Sequence, residues 1–159
     1  VLGRDPAKTG RVPFRGGDGG LMAGILTTLR DALETRLETI SGLEVLDHSP
    51  DGIMVTPVAI IHPPGRRERQ TFSGAHLYRF EIELRLAGMV PGDMWTVLDD
   101  YMAPTGTSSV EAAIDGDKTL GGNAAYAVVL WNEMETEREP NQNGGWYYKA
   151  TIPVEVSAP

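Results

Sequence analysis

The chain has 159 residues, of which 41% are hydrophobic and 23% charged, enough for one domain with a substantial core. It contains no cysteine, which excludes disulfides and thiolate chemistry. Residues 1–20 carry four basic and two acidic side chains (+2), and the other 139 carry ten basic and twenty acidic ones (−10). An acidic body argues against nucleic-acid binding through phosphate neutralisation. No apolar run reaches the length of a membrane span, so we expect no membrane attachment.

Residues 1–20 are rich in glycine and proline and poor in large apolar side chains. Such a segment cannot bury enough surface to offset the entropy of ordering, so alone it is expected to be an extended arm. We interpret its basic residues as contacts with a neighbouring subunit: Arg4, Lys8, Arg11 and Arg15. The run Gly16–Gly20 indicates a hinge, because no Lys-Ser/Thr pair follows it as in a phosphate-binding loop.

Residues 21–159 are interpreted as a single domain. Apolar residues in three- and four-residue steps predict a first helix over Leu21–Ile40, ended by Gly42. Two strands are predicted next, a short one over Leu43–Asp47 and a longer one over Ile53–Ile61. Because Pro57 cannot donate to a ladder, the longer strand should lie at an edge or carry a bulge.

The clearest pattern is the alternation of apolar and charged residues in His76–Leu86, which predicts the central strand of an antiparallel sheet. Before it, the sequence His62–Gly65 (HPPG) is expected to end the preceding strand. The basic residues that follow are then placed on a loop: Arg66, Arg67 and Arg69. This loop is interpreted either as a contact with an acidic partner surface or as a solvated loop tip.

A second helix is predicted over Asp93–Met102, with Asp93 as its N-cap. Ser108 and Glu111 have the spacing of a capping box for a short helix that Gly116 closes. Two last strands, Ala125–Arg138 and Trp146–Val156, should pair as a long hairpin, and Pro153 suggests an edge position. The predicted class is α+β, with an antiparallel or mixed sheet of about five strands, two main helices and one short helix packed on one side.

Alternating acidic residues mark the first strand of that hairpin: Glu133, Glu135, Glu137 and Glu139. They are interpreted as a solvated tip or, in a ring, as a belt of carboxylates that repels DNA phosphates. His48, His62 and His76 are scattered, without metal-ligand spacing, and no nucleophile, base and orienting group can be assembled. We therefore predict no catalytic residue, no metal site and no cofactor, and a protein that is not an enzyme.

Three stretches carry a resemblance to a known family. They are LRDALETRLETISGLEVLD (residues 29–47), YRFEIELRL (78–86) and LDDYMAPTGTSSVEAAIDGDKTLGG (98–122). In this order they resemble tail terminator proteins of long-tailed bacteriophages, also called minor tail or head–tail joining proteins. The likeness extends over about residues 21–157, and the Gly-rich arm departs from it.

The resemblance implies a structural virion protein that forms a hexameric ring. Such a ring would cap the head-proximal end of the tail tube, stop its polymerisation and join the head connector or adaptor. Its partners would be the tail-tube protein below and the connector above, and genomic DNA would pass through without specific binding. It would be assembled in the host cytoplasm and reside in the virion at the head–tail interface.

Several alternatives stay open at this stage. Within the same machine, the chain could be a head-side adaptor or completion protein, or a tail-tube subunit. Outside it, the chain could be a monomeric or dimeric binding domain. A hydrolytic enzyme would require a cluster of the three histidines.

Overall fold

The computed structural model describes residues 19–46, 57–69, 75–87, 91–140 and 145–159, without the side chains of residues 19–23, 66, 67, 69 and 91. Its elements are α1 (Gly19–Leu37), β1 (Glu44–Leu46), β2 (Val58–Arg69), β3 (His76–Leu86), α2 (Pro91–Met102), α3 (Val110–Asp115), β4 (Tyr126–Val129), a 3-10 turn (Trp131–Glu133), β5 (Glu135–Pro140) and β6 (Trp146–Ser157). The α+β class is confirmed, with six strands where about five were predicted. Within these ranges, no helix combines the length and apolar character needed to cross a membrane.

The strands form one mixed sheet in the order β1-β2-β3-β6, and β4 and β5 both pair with the outer side of β6. Only β1 and β2 are parallel; every other described pair is antiparallel. The alternating strand β3 is therefore central, as its sequence predicts. Its Ile82 lies between Ile61 of β2 and Ile152 of β6, which aligns three apolar side chains across the sheet.

The core lies between one face of the sheet and the helices. The stripe of α1 contributes Leu29, Leu33 and Leu37, and α2 contributes Met94 and Leu98, all at most 2% exposed. Each buried side chain of this size contributes roughly 1.5–3 kcal/mol relative to exposure. The prediction that the helices pack on one side of the sheet is confirmed. This arrangement leaves the opposite face of the sheet to polar side chains.

Strand β2 corrects two predictions. It continues through Pro63 and Pro64 to Arg69, so the basic residues predicted on a loop lie in a strand. His62 pairs with Glu81 and Arg66 with Arg79, so three residues of β2 lie opposite one of β3. The prolines, which cannot donate to the ladder, occupy this bulge, and pairing resumes beyond it. Pro57 itself precedes β2 and causes no bulge in it; the observed bulge belongs to Pro63 and Pro64, which were predicted to lie after the strand.

The predicted strand Ala125–Arg138 is interrupted by the 3-10 turn, so its two halves pair separately with β6. Pro153 consequently lies in an interior strand, and its predicted edge position is wrong. The Leu130 N–H donates to the Pro153 carbonyl over 2.9 Å. In an antiparallel strand, the backbone N and O of one residue point to the same neighbouring strand. The Pro153 nitrogen, which carries no hydrogen, therefore also points towards this interruption. The sheet is broken at the place where proline has no donor.

Two predicted helix N-caps are wrong. Asp93 is the third residue of α2, not its N-cap. The N-cap of α3 is Ser109, whose hydroxyl accepts from the Ala112 N–H at 3.0 Å, so Ser108 was the wrong serine. Ser109 is buried, and its hydroxyl also donates to the Ala103 carbonyl. The buried hydroxyl is thus used both as an acceptor and as a donor. Gly116 closes the helix as predicted, donating its N–H to the Ala112 carbonyl.

A strained turn follows α3 in the third family-like stretch. Leu120, Gly121 and Gly122 all have positive φ, with values of 50°, 69° and 86°. The Asp117 carboxylate accepts the N–H groups of Thr119 and Gly121 at 3.1 and 2.8 Å. The pKa of Asp117 lies below its ordinary value of 3.8, and the main cause is a hydrogen bond from the Thr119 hydroxyl. These bonds hold a conformation in which Leu120 is buried despite its left-handed backbone.

Candidate interaction surface

The sheet face opposite the helices carries charged side chains from three adjacent strands. Residues directly opposite each other in antiparallel strands point to the same side, so the register defines this group. Arg85 lies opposite Lys149, and Lys149 lies opposite Glu137. We call this surface the charged face; its principal members are Glu81, Glu83 and Arg85 of β3, Lys149 and Glu155 of β6, and Glu135, Glu137 and Glu139 of β5.

At the β2 end of the charged face, Glu83 is the centre of a buried ion-pair cluster. It is 8% exposed and lies beside Ile60, which is 1% exposed. Its Oε2 lies 2.8 Å from His62 Nε2, and its Oε1 accepts a hydrogen bond from Arg85 Nε. Burial raises the pKa of the Glu83 carboxyl, but hydrogen bonds from Arg85 and His62 outweigh burial and hold the pKa below its ordinary value of 4.5. The carboxylate is thus stabilised in its charged form.

At the β5 end, Lys149 is the centre of a more open cluster. Its Nζ lies 2.8 Å from Glu139 Oε1 and 3.0 Å from Glu137 Oε2. The Tyr147 hydroxyl also donates to Glu139. Hydrogen bonds to Glu139 and then Glu137 raise the pKa of Lys149 above its ordinary value of 10.5. The Glu137 side chain is 59% exposed, so this cluster remains accessible to a partner.

Three of the four residues of the predicted acidic row lie on one strand. Glu135, Glu137 and Glu139 alternate along β5 and share the charged face. Glu133 is an exception, because it lies in the 3-10 turn and pairs with Arg79 of β3. The row is also less repulsive than its sequence suggests, since Arg79 and Lys149 neutralise part of its charge. The Glu135 side chain is exposed at the rim of a shallow cleft that Thr151 also lines.

The predicted basic contacts are only partly within the described structure. Arg66, Arg67 and Arg69 have their backbones in β2, opposite Arg79, Tyr78 and His76, and their side chains lie outside the described part. The arm residues lie outside the described residues altogether: Arg4, Lys8, Arg11 and Arg15. The structure does not bring the two basic groups together or separate them, so both remain predictions.

Exposed tryptophans are the feature that sequence reasoning missed. Trp131 is 70% exposed on the 3-10 turn, beside the acidic strand. Trp146, the first residue of β6, is 47% exposed, with the Arg138 guanidinium 4.0 Å from its ring centroid. Trp95 is 49% exposed on α2, and its ring lies 4.9 Å from that of Tyr148. Alternation could not reveal this exposure, because it identifies a face and not where the core ends.

The three histidines are not assembled into a site by the described residues. His62 belongs to the Glu83 cluster, and His76 lies at the rim of the core, its ring 6.4 Å from that of Tyr78. His48 lies outside the described residues. Across the part of the chain that the structure describes, no group of three or more histidine, aspartate or glutamate side chains is placed to bind a metal ion.

Comparison with solved structures finds similarity to a chain described as "Virion of native gene transfer agent (GTA) particle". The sequence identity is 13%, the alignment covers 87% of this chain and 95% of that chain, and the TM-score is 0.34. No protein-family model and no curated protein matches the sequence. A TM-score this low assigns neither a fold family nor a function, so the functional proposal rests on the residues of this chain.

Proposed function

We propose that this chain is a structural virion protein that assembles into a hexameric ring at the head-proximal end of a bacteriophage tail. In this role it caps the tail tube, stops tube polymerisation and joins the tail to the head connector. The proposal starts from the family-like stretches at residues 29–47, 78–86 and 98–122. The single observation in the fold that supports it most is the charged face, with its exposed acidic end at β5.

The β5 end has the composition of an assembly surface. Among the described strands, β4 and β5 pair only with β6, so their outer edge is available to a neighbour. Trp131 lies beside this edge with 70% of its surface exposed. Tryptophan is enriched at the energetic centres of protein interfaces, and an aromatic group beside exposed charges can be buried by a partner. We propose that a neighbouring subunit covers this edge.

The acidic row fits a channel that DNA crosses without binding. Its three members on β5 would present carboxylates to the lumen in six copies: Glu135, Glu137 and Glu139. Glu133 would lie beside them, paired with Arg79. At the formal charge of −8 per chain, six chains carry −48. Like charges at a focused surface repel phosphates, so DNA would slide past instead of being held. The acidic row therefore serves passage and not recognition.

Basic groups would make the axial contacts. Two basic groups would contact acidic surfaces on adjacent rings. They are the arm residues Arg4, Lys8, Arg11 and Arg15, and the β2 residues Arg66, Arg67 and Arg69. One neighbour is the tail-tube protein and the other the head connector or adaptor. Charge complementarity of this kind sets orientation and association rate more than affinity.

The first experiment measures the native mass of the purified chain and images the same fraction by negative stain. Sixfold rings with a hole wide enough for duplex DNA are expected, and short tail tubes added to the sample should be capped at one end. Long filaments of the chain alone would instead identify a tube subunit. Capping of connectors but not tubes would identify a head-side adaptor. A monomer that binds neither tubes nor connectors would contradict the proposal and favour a binding domain.

A further inference from the structure

A second surface, separate from the charged face, lies beside the start of α1. It is an open groove of about 610 Å³ formed by α1, the strained turn and the end of the described chain. We call it the α1 groove, and its lining residues are Gly24, Ile25, Thr28, Leu29, Gly122, Asn123, Ala158 and Pro159. The floor includes Leu29 and Ala158, which are 1% and 3% exposed.

The chemistry of the α1 groove selects an apolar occupant. None of its eight described lining residues has a charged side chain. The Thr28 hydroxyl donates to the Gly24 carbonyl at 2.8 Å, and the Asn123 side-chain N–H donates to the Leu120 carbonyl at 2.8 Å. The Thr28 hydroxyl hydrogen and one of the two Asn123 amide hydrogens are therefore used within the chain. The few polar groups left could not replace the solvation of an ion or a sugar, whereas an apolar side chain would gain by burial.

We propose that the α1 groove binds the apolar segment Val12–Phe14 (VPF) of the same chain, folded back along the first turns of α1. This segment is the apolar run nearest to α1 in the arm, and the short sequence 15–18 (RGGD) joins the two, because Gly19 and Gly20 of the predicted hinge belong to α1. Glycine adopts the left-handed conformations that a tight reversal needs. The occupant is thus a named segment of this chain whose attachment point lies at the groove.

The reach of the linker fits the position of the groove. Phe14 is five residues before Gly19, and five extended residues span at most about 17 Å. Gly24 lies about 7.5 Å and Thr28 about 13.5 Å along α1 from Gly19, at 1.5 Å per residue. A reversed chain therefore brings Phe14 between these two wall residues. Gly24 leaves room for it, because a Cβ there would meet nothing within 4 Å.

Anchoring of Val12–Phe14 would leave the distal arm residues, including Arg4 and Lys8, free to reach a neighbour. The inference does not depend on the proposed ring. A monomer would bind its own segment equally well, so failure of one proposal is distinguishable from failure of the other. Binding within one chain also benefits from a local concentration in the millimolar range for a short flexible linker.

The test is a disulfide cross-link, which is specific because the chain has no cysteine. The pair Val12→Cys and Thr28→Cys should form an intramolecular disulfide on mild oxidation. The matched control replaces Thr28 by Thr35, an exposed threonine of α1 with the same type of backbone hydrogen bond. Thr35 lies about 10.5 Å further along the helix, beyond the Cα separation that a disulfide tolerates. We expect oxidation on the order of tenfold faster for the Thr28 pair.

Two further variants separate docking from chance collision. Phe14→Ala and the groove-filling Gly24→Leu, each added to the Thr28 pair, should reduce the rate towards that of the Thr35 pair. Gly92→Leu, at an exposed glycine of α2 with equal space, should leave the rate unchanged. Equal rates for the two cysteine pairs, or no effect of Phe14→Ala, would overturn the proposal. Covalent dimers in place of the intramolecular product would also overturn it, in favour of a second copy's arm.

Discussion

At the β2 end of the charged face, Glu83 has an 11% exposed side chain between His62 and Arg85, whereas at the β5 end Glu137 is 59% exposed beside Lys149. Both ends pair carboxylates with cations, so pairing does not distinguish them. Burial does, because a desolvated carboxylate must keep its partners, while an exposed one is also stabilised by water. We infer that the Glu83 cluster contributes to folding and that the β5 end is available for assembly.

The largest effect is expected from Arg85→Met, which keeps much of the apolar stem but removes the charge beside Glu83. The buried carboxylate would lose a principal partner, so the free energy of unfolding should fall by about 3 kcal/mol. The matched variant Lys149→Met removes a cation of equal exposure, 19%, but its carboxylate partners Glu137 and Glu139 are 59% and 32% exposed and keep contact with water. The loss should therefore be smaller, about 1 kcal/mol. Urea denaturation of both variants measures the difference. Equal losses would contradict the comparison.

Acid sensitivity should come from the same buried end. The folded-state pKa of Glu83 lies below its ordinary value of 4.5, so its contribution to stability is present above that pH and is lost as the pH falls through the folded-state pKa. Glu83→Gln should lower stability at pH 7 and flatten its decline below about pH 4.5. Melting temperatures between pH 3 and 7 test this. Glu137→Gln is the control and should leave the decline nearly intact.

Charge reversal at the exposed end should act on assembly more than on folding. The double variant Glu135→Lys and Glu137→Lys should change the free energy of unfolding by less than about 1 kcal/mol, since both side chains are exposed. Ring formation, or the passage of DNA through the ring, should be impaired. Glu38→Lys with Asp99→Lys makes the same charge change at exposed positions of the helical layer and serves as control. Native mass spectrometry and DNA retention compare the two.

The smallest stability effect is expected from Trp131→Ala, within about 0.5 kcal/mol, because the side chain is largely exposed. The variant should nevertheless weaken self-association in sedimentation experiments. Trp95→Ala offers a contrast, since loss of its ring contact with Tyr148 should cost about 1 kcal/mol. A strong loss of stability in Trp131→Ala, with unchanged association, would remove this residue from the interface.

Part of the surface could be predicted from local pattern. Alternation placed Glu135, Glu137 and Glu139 on one face because a strand has a period of two. The burial of Glu83 could not be predicted, since its strand neighbours Glu81 and Arg85 have the same alternating pattern. Whether a polar-face residue is buried depends on the strands beside it, and that information lies far away in the chain.

By itself, the sequence determined the α+β class, the central strand His76–Leu86, the helical stripes and the acidic alternation, because these depend on side-chain periodicity within one element. Only the tertiary structure decided that β2 continues past Pro64, that Pro153 lies inside the sheet and that Trp131 is exposed. Local rules place proline at the end of a strand, but the sheet accommodates it because a bulge or an interruption costs less than losing the strand pairing on either side. Exposure of Trp131 depends on where the core ends, which no local pattern states.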